Sequence, residues 1–102
     1  METIISIDGE NVLCTLKGRL DTLAAQQVSK DIQPVLEHAG GTVTLDCGDL
    51  EYISSSGLRI FLTIRKEASR QGGKVIVRNL RKEIGQVFLM TGFYNLFEMQ
   101  QA

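Results

Sequence analysis

The segment best equipped for chemistry is Asp49-Leu50-Glu51-Tyr52-Ile53-Ser54-Ser55-Ser56-Gly57-Leu58-Arg59. It sets three consecutive hydroxyls between an apolar, strand-like run at residues 42–47 and an amphipathic helical pattern from 57 to about 70. A helix start exposes unpaired backbone N–H groups and a partial positive charge, so it welcomes an anion or a phosphate ester. A serine held there is exposed, rigidly supported and open to a modification that adds charge. Hydroxyls in such a place also serve as caps. Ser54 or Ser56 can accept from an early backbone N–H while Ser55 points outward.

Other chemistries find less support. Ser56-Gly57 lacks the G-x-S-x-G elbow of a hydrolase, and the sole histidine, His38, falls near the end of a helical pattern, where its partial positive charge suits the helix terminus. One histidine and two cysteines in strand contexts, Cys14 and Cys47, do not make a metal cluster, and no cofactor is expected. Gly72-Gly73-Lys74 lacks the rest of a phosphate loop and reads as a helix stop. Asp46 and Asp49 fit a strand end and a turn better than a carboxylate pair. The chain therefore reads as a non-enzyme.

The elements that must hold the serines alternate. A strand at 3–7, a hairpin turn at Asp8-Gly9-Glu10-Asn11 and a strand at 12–17 come first. Gly18-Arg19-Leu20-Asp21 breaks the pattern, and Asp21 or Thr22 caps a helix whose Ala25, Val28, Ile32, Val35, Leu36 and Ala39 form one apolar stripe. Pro34 inside it calls for a kink or a break. Gly40-Gly41 stops it, and the strand at 42–47 turns Val43, Leu45 and Cys47 to one face. The helix after the serines buries Leu58, Phe61, Leu62, the stem of Arg65 and Ala68, and ends at Gln71-Gly72-Gly73. A strand at 74–77 follows. Asn79 or Leu80 opens a helix with Ile84, Val87 and Phe88, Gly92 caps its end with Phe93 folded back on Phe88, and 95–99 adds a short strand. The order β-β-α-β-α-β-α-β implies an α/β fold, a mixed sheet of about five strands packed against helices. The 102 residues suit a single domain spanning 1–102.

Composition is that of an ordinary globular chain, 43% hydrophobic and 23% charged, which argues against disorder. No apolar run approaches the ~20 residues of a membrane span, no signal peptide is visible, and the two cysteines read as buried free thiols, so a cytoplasmic protein without membrane insertion is expected. The net charge of −1 hides an asymmetry: residues 1–51 carry nine acidic and three basic side chains, residues 52–102 three acidic and eight basic. Solvated helix faces explain most of this, and a docking surface for an acidic partner is the sharper possibility. Nucleic acid is not expected, since tryptophan is absent and few aromatics lie among the basic residues.

Asp49-Leu50-x-Tyr52-Ile53-x-Ser55-Ser56-Gly57-Leu58 resembles the D-L-x-(aromatic)-(aliphatic)-D-S-S-G-L signature of the STAS domain, the fold of bacterial anti-sigma factor antagonists. Gly18-Arg19-Leu20-Asp21, Gly72-Gly73-Lys74 and Thr91-Gly92-Phe93 with Leu96-Phe97 are similar to further family motifs in the same order, and the resemblance spans the chain. It implies a regulatory module that binds an anti-sigma factor, itself a serine kinase, while unphosphorylated, and that is released on phosphorylation and reset by a phosphatase. The family's phosphoacceptor position is Ser55 here. The preceding position, usually acidic in the family, is Ser54, which makes Ser54 a rival acceptor. The resemblance places Asp21, Ser54, Ser55, Ser56, Gly57, Leu58 and Arg59 at the partner surface. Within the same fold, an adaptor subunit of a stress-signalling or transporter-associated complex is the alternative, and nucleotide binding at the same helix end a weaker one.

Overall fold

A computed structural model of the chain describes residues 1–101. The elements are β1 (Glu2–Asp8), β2 (Asn11–Leu20), α1 (Thr22–Asp31), α2 (Gln33–Glu37), β3 (Thr42–Asp46), β4 (Leu50–Ile53), α3 (Ser55–Gln71), β5 (Lys74–Arg78), α4 (Lys82–Thr91), a 3-10 turn (Phe93–Leu96) and β6 (Glu98–Gln100). The fold is the expected mixed α/β one, with six strands in the order β1-β2-β3-β5-β6 and β4 attached to the far end of β2. β1 is antiparallel to β2, and the remaining pairings are parallel.

The sheet has one covered face. Val12, Cys14, Leu16, Val43, Leu45, Val75 and Val77 alternate along β2, β3 and β5 and, with Cys47 just past the end of β3, are buried under the helices. Burial holds the Cys14 thiol up at about 12 and raises that of Cys47 as well, and both stay free. Cys14 lies opposite Leu45, so the two thiols are offset along the strands rather than facing each other. Phe61 of α3, Phe88 of α4 and Phe97 meet with ring centroids 5.5–6.2 Å apart, two of the three contacts edge-on, which ties the last third of the chain to the centre. Phe93 folds back on Phe88 at 6.3 Å behind Gly92, whose φ of 80° makes the left-handed cap expected there.

Several expectations need correction. Gly18 does not end the second strand. With φ at 104° it forms an irregularity between Gly18 and Arg19, after which the strand runs on to Leu20 and pairs with β4. That pairing makes a strand of Leu50–Ile53, the sixth, from residues whose sequence reads as part of a turn. Pro34 breaks its helix outright and starts α2 near its N-terminus, where its missing N–H costs nothing. On α3, Leu62 is only half-buried, and Ile60 and Ile64 are buried instead. α4 opens at Lys82 rather than at 79 or 80, because Asn79 is held at φ 62° and Leu80 is buried. Residues 93–96 turn as a 3-10 helix anchored by the Arg65 guanidinium on the Leu96 carbonyl (2.7 Å), so the last strand begins only at Glu98.

Candidate functional site: two helix starts side by side

The end of β2 and the end of β4 lie next to each other, Leu20 opposite Ile53, and the Ser54 N–H donates to the Leu20 carbonyl at 2.9 Å. Each strand passes directly into a helix, so α1 and α3 begin as neighbours. At α1 the Asp21 carboxylate accepts from the Ala24 N–H (2.8 Å). At α3 the Ser54 hydroxyl accepts from the Gly57 N–H (3.1 Å). Both caps are made by the residue just outside the helix, bonding three positions on.

This arrangement sorts the serines. Ser54 is buried (8% exposed) with its hydroxyl occupied by the cap. Ser55 is the first helical residue and is exposed, while Ser56 is half-buried and lines a groove of about 260 Å³ between α1 and α3. That groove has Thr22, Ala25, Gln26 and Ser29 on one wall and Ser56, Arg59, Ile60 and Thr63 on the other. Arg59 is exposed, one turn beyond Ser55 on the same helix. No acidic residue stands in the first turn of α3, so the partial positive charge of its start has no counter-charge of its own there.

Gly57 and Leu58 are buried, so they hold the turn rather than offer surface to a partner. A Cβ on Gly57 would lie 2.8 Å from Leu20 Cγ and 2.9 Å from Ile53 Cγ1. The glycine therefore lets α3 sit down on the ends of β2 and β4, which brings the serine turn up against the end of β2. Of the seven residues named from the sequence, Asp21, Ser54, Ser55, Ser56 and Arg59 gather at this end around that buried pair.

The sequence did not single out everything that gathers there. Thr22, which the sequence offered only as an alternative cap and which is instead the first residue of α1, lines the groove with Gln26, and Leu23, 76% exposed, offers an apolar side chain next to the Asp21 cap. Arg19 stacks its guanidinium over the Tyr52 ring at 4.4 Å, an exposed pair made by β2–β4 pairing, which no local signal announces. Beyond it, Arg78 bonds Asp46 (2.9 Å) and Arg81 bonds the Gly48 carbonyl (3.0 Å). Burial pushes the Asp46 carboxyl up, but bonds from Arg78, the Gly48 N–H and Asn79 together hold it below its ordinary value. Among the described residues no group of three or more His, Cys, Asp or Glu side chains is placed to hold a metal, and no helix is long and apolar enough to cross a membrane.

The STAS domain model matches residues 3–102. The chain is 32% identical over 100 residues to BtrV of Bordetella bronchiseptica, a protein named as an anti-sigma factor antagonist, with 98% of this chain and 85% of the relative covered. It is 24% identical over 89 residues to the anti-sigma-B factor antagonist of Bacillus subtilis, covering 87% of this chain and 81% of that one. Among solved structures, the anti-sigma factor antagonist SpoIIAA, a Bacillus cell fate determinant, superposes with a TM-score of 0.82 in its unphosphorylated form and 0.76 in its phosphorylated form. Both comparisons are at 23% identity and cover 99% of this chain, with 88% and 91% of the SpoIIAA chains. A family match over nearly every residue, and a solved fold that aligns end to end, agree with the β2–β4 junction and its capped serine turn: this chain belongs to the STAS domain family.

Proposed function

We propose that the chain is an anti-sigma factor antagonist whose hold on its partner is set by the ester state of Ser55. The observation that carries this is the division of labour in the serine turn. Ser54 is buried and spent on the cap, whereas Ser55, its neighbour, is exposed at the first helical position of a start with no acid in its first turn. In the unphosphorylated state the Ser55 turn, Arg59 and the facing start of α1 dock onto an anti-sigma factor, which is a serine kinase. Transfer of a phosphoryl group from ATP to Ser55 Oγ then ends the complex, and a phosphatase restores it.

The physics of the two states supports such a switch. Phosphorylation adds about −1.5 to −2 charges and three acceptor oxygens. At a helix start that charge is tolerated, and stabilises the fold by up to ~1 kcal/mol. Inside a desolvated interface without a cationic partner the same charge costs several kcal/mol. Each 1.4 kcal/mol is about tenfold in affinity, so release needs no refolding.

Incubating the protein with the kinase and ATP, then mapping the modified residue by mass spectrometry, tests this. Phosphate on Ser55 is expected. Modification at Ser54 instead, or none at either, overturns the assignment. A pull-down that recovers transporter or scaffold subunits and no kinase would point to an adaptor role on the same fold.

A further inference from the structure

The sheet has two outer strands on its main path, and they are finished differently. β6 is three residues long, and its Glu98 is paired with Lys74 at 3.4 Å. β1 has seven residues, a continuous register against β2, and no lysine, arginine or proline. Short length, outward lysines, prolines and bulges are the usual guards of a free edge, and β1 has none of them. It also collects exposed apolar surface. Met1, Ile4 and Ile7, at 46%, 43% and 43% exposure, are three of the seven large apolar side chains left exposed among the described residues.

The hairpin decides which backbone groups face outward. Gly9 at φ 61° and Glu10 form a two-residue turn closed by the pair Asp8 and Asn11. Pairs that exchange both hydrogen bonds then alternate back along the ladder through Ser6–Leu13, Ile4–Thr15 and Glu2–Lys17. The N–H and C=O groups of Thr3, Ile5 and Ile7 are left directed at the open edge.

We propose that this edge binds a second copy of itself, β1 against β1, antiparallel about a two-fold axis at Ile4. In this register Thr3 of one copy exchanges backbone bonds with Ile5 of the other, and Ile4 lies against Ile4 in a non-hydrogen-bonded pair, where side chains come closest. Met1 faces Ile7 on the helix-covered side of the sheet while Ile4 faces Ile4 on the other, and Glu2 faces Ser6, so each exposed apolar residue is set against another and no two charges of like sign are opposed. A shift that places the axis at Ile5 sets Glu2 against Asp8, and one at Ser6 sets Ile4 against Asp8. Charge and apolar matching thus select the Ile4 axis. An isologous pairing of this kind closes on itself and gives a dimer with one continuous sheet.

Sedimentation equilibrium of the whole chain is the test. The mass should rise from 11.3 kDa toward twice that value with concentration. Ile4→Lys puts like charges face to face at the axis and should weaken the dimer at least tenfold, with an unchanged circular dichroism spectrum because residue 4 is on the uncovered face. An equal mixture of Ile4→Lys and Ile4→Glu should dimerise again, since only the Ile4 axis opposes the two. If Ile4→Lys fails to fold, Thr3→Pro serves in its place: it removes an outward N–H and leaves the β1–β2 ladder bonded. A wild-type mass of 11.3 kDa at about 1 mM, undiminished dimerisation of the variants, or no recovery in the mixture overturns the proposal.

Discussion

The two helix starts at the functional end of the molecule share one plan and differ in chemistry. α1 begins Asp21-Thr22-Leu23-Ala24 and α3 begins Ser54-Ser55-Ser56-Gly57. In each, the first residue caps, the second is an exposed hydroxyl, and the N–H of the fourth is bonded by the cap. At α1 the cap is a carboxylate, so the helix start carries its own negative charge, and a phosphate on Thr22 would stand beside it. At α3 the cap is a buried neutral hydroxyl with no acid in the following turn. The geometry that exposes a hydroxyl is thus common to both, and the charge of the cap decides which one is prepared to carry a phosphate.

The largest expected effect comes from placing that charge. Ser55→Asp should weaken binding to the anti-sigma factor at least about a hundredfold by calorimetry, on the order of 3 kcal/mol, while Ser55→Ala binds as tightly as wild type and cannot be switched off. Equal binding by the two variants would dissolve the contrast between the helix starts. Kinase treatment should leave Thr22 unmodified.

The fourth positions respond oppositely to a methyl group. Gly57→Ala should destabilise the fold by about 1–3 kcal/mol despite its better helix propensity, because the new Cβ presses on Leu20 and Ile53. Ala24→Gly should cost about 1 kcal/mol, from backbone entropy together with the lost packing of its methyl group against the core. Denaturant melts of both variants would show whether α3 is seated as tightly as its contacts indicate.

The caps give the smallest effects and the sharpest distinction. Asp21→Ala and Ser54→Ala should each cost about 1 kcal/mol. Raising salt from low to about 1 M should shrink the Asp21 cost by screening its attraction to the helix start, and leave the Ser54 cost unchanged. Equal salt dependence would mean that the two starts do not differ in charge as described.

Much of this was legible in residue order. The opening hairpin, a cap at Asp21 or Thr22, an interruption at Pro34, the left-handed Gly92 cap with Phe93 on Phe88, and the helix after the serines all depend on interactions within a few residues along the chain. The choice between Ser54 and Ser56 as the α3 cap was not settled locally, since either hydroxyl can reach an early N–H. Burial of Ser54 against the end of β2 settled it. Leu50–Ile53 was hidden for a related reason. Four residues have little strand tendency of their own, and they become a strand through Gly18–Leu20, some thirty positions earlier.

Order along the chain thus determined by itself where most helices lie and stop, and that a hydroxyl stands at the head of one of them, because caps, glycine turns and apolar periodicity act over three or four positions. Tertiary structure alone decided that β2 bends at Gly18 to pair with β4, that Asp21 and Ser54 become neighbours, that Arg19 covers Tyr52, and that β1 ends the sheet unguarded. Each of these requires two distant segments to share one edge or one surface, and the free energy that brings them together belongs to the common core.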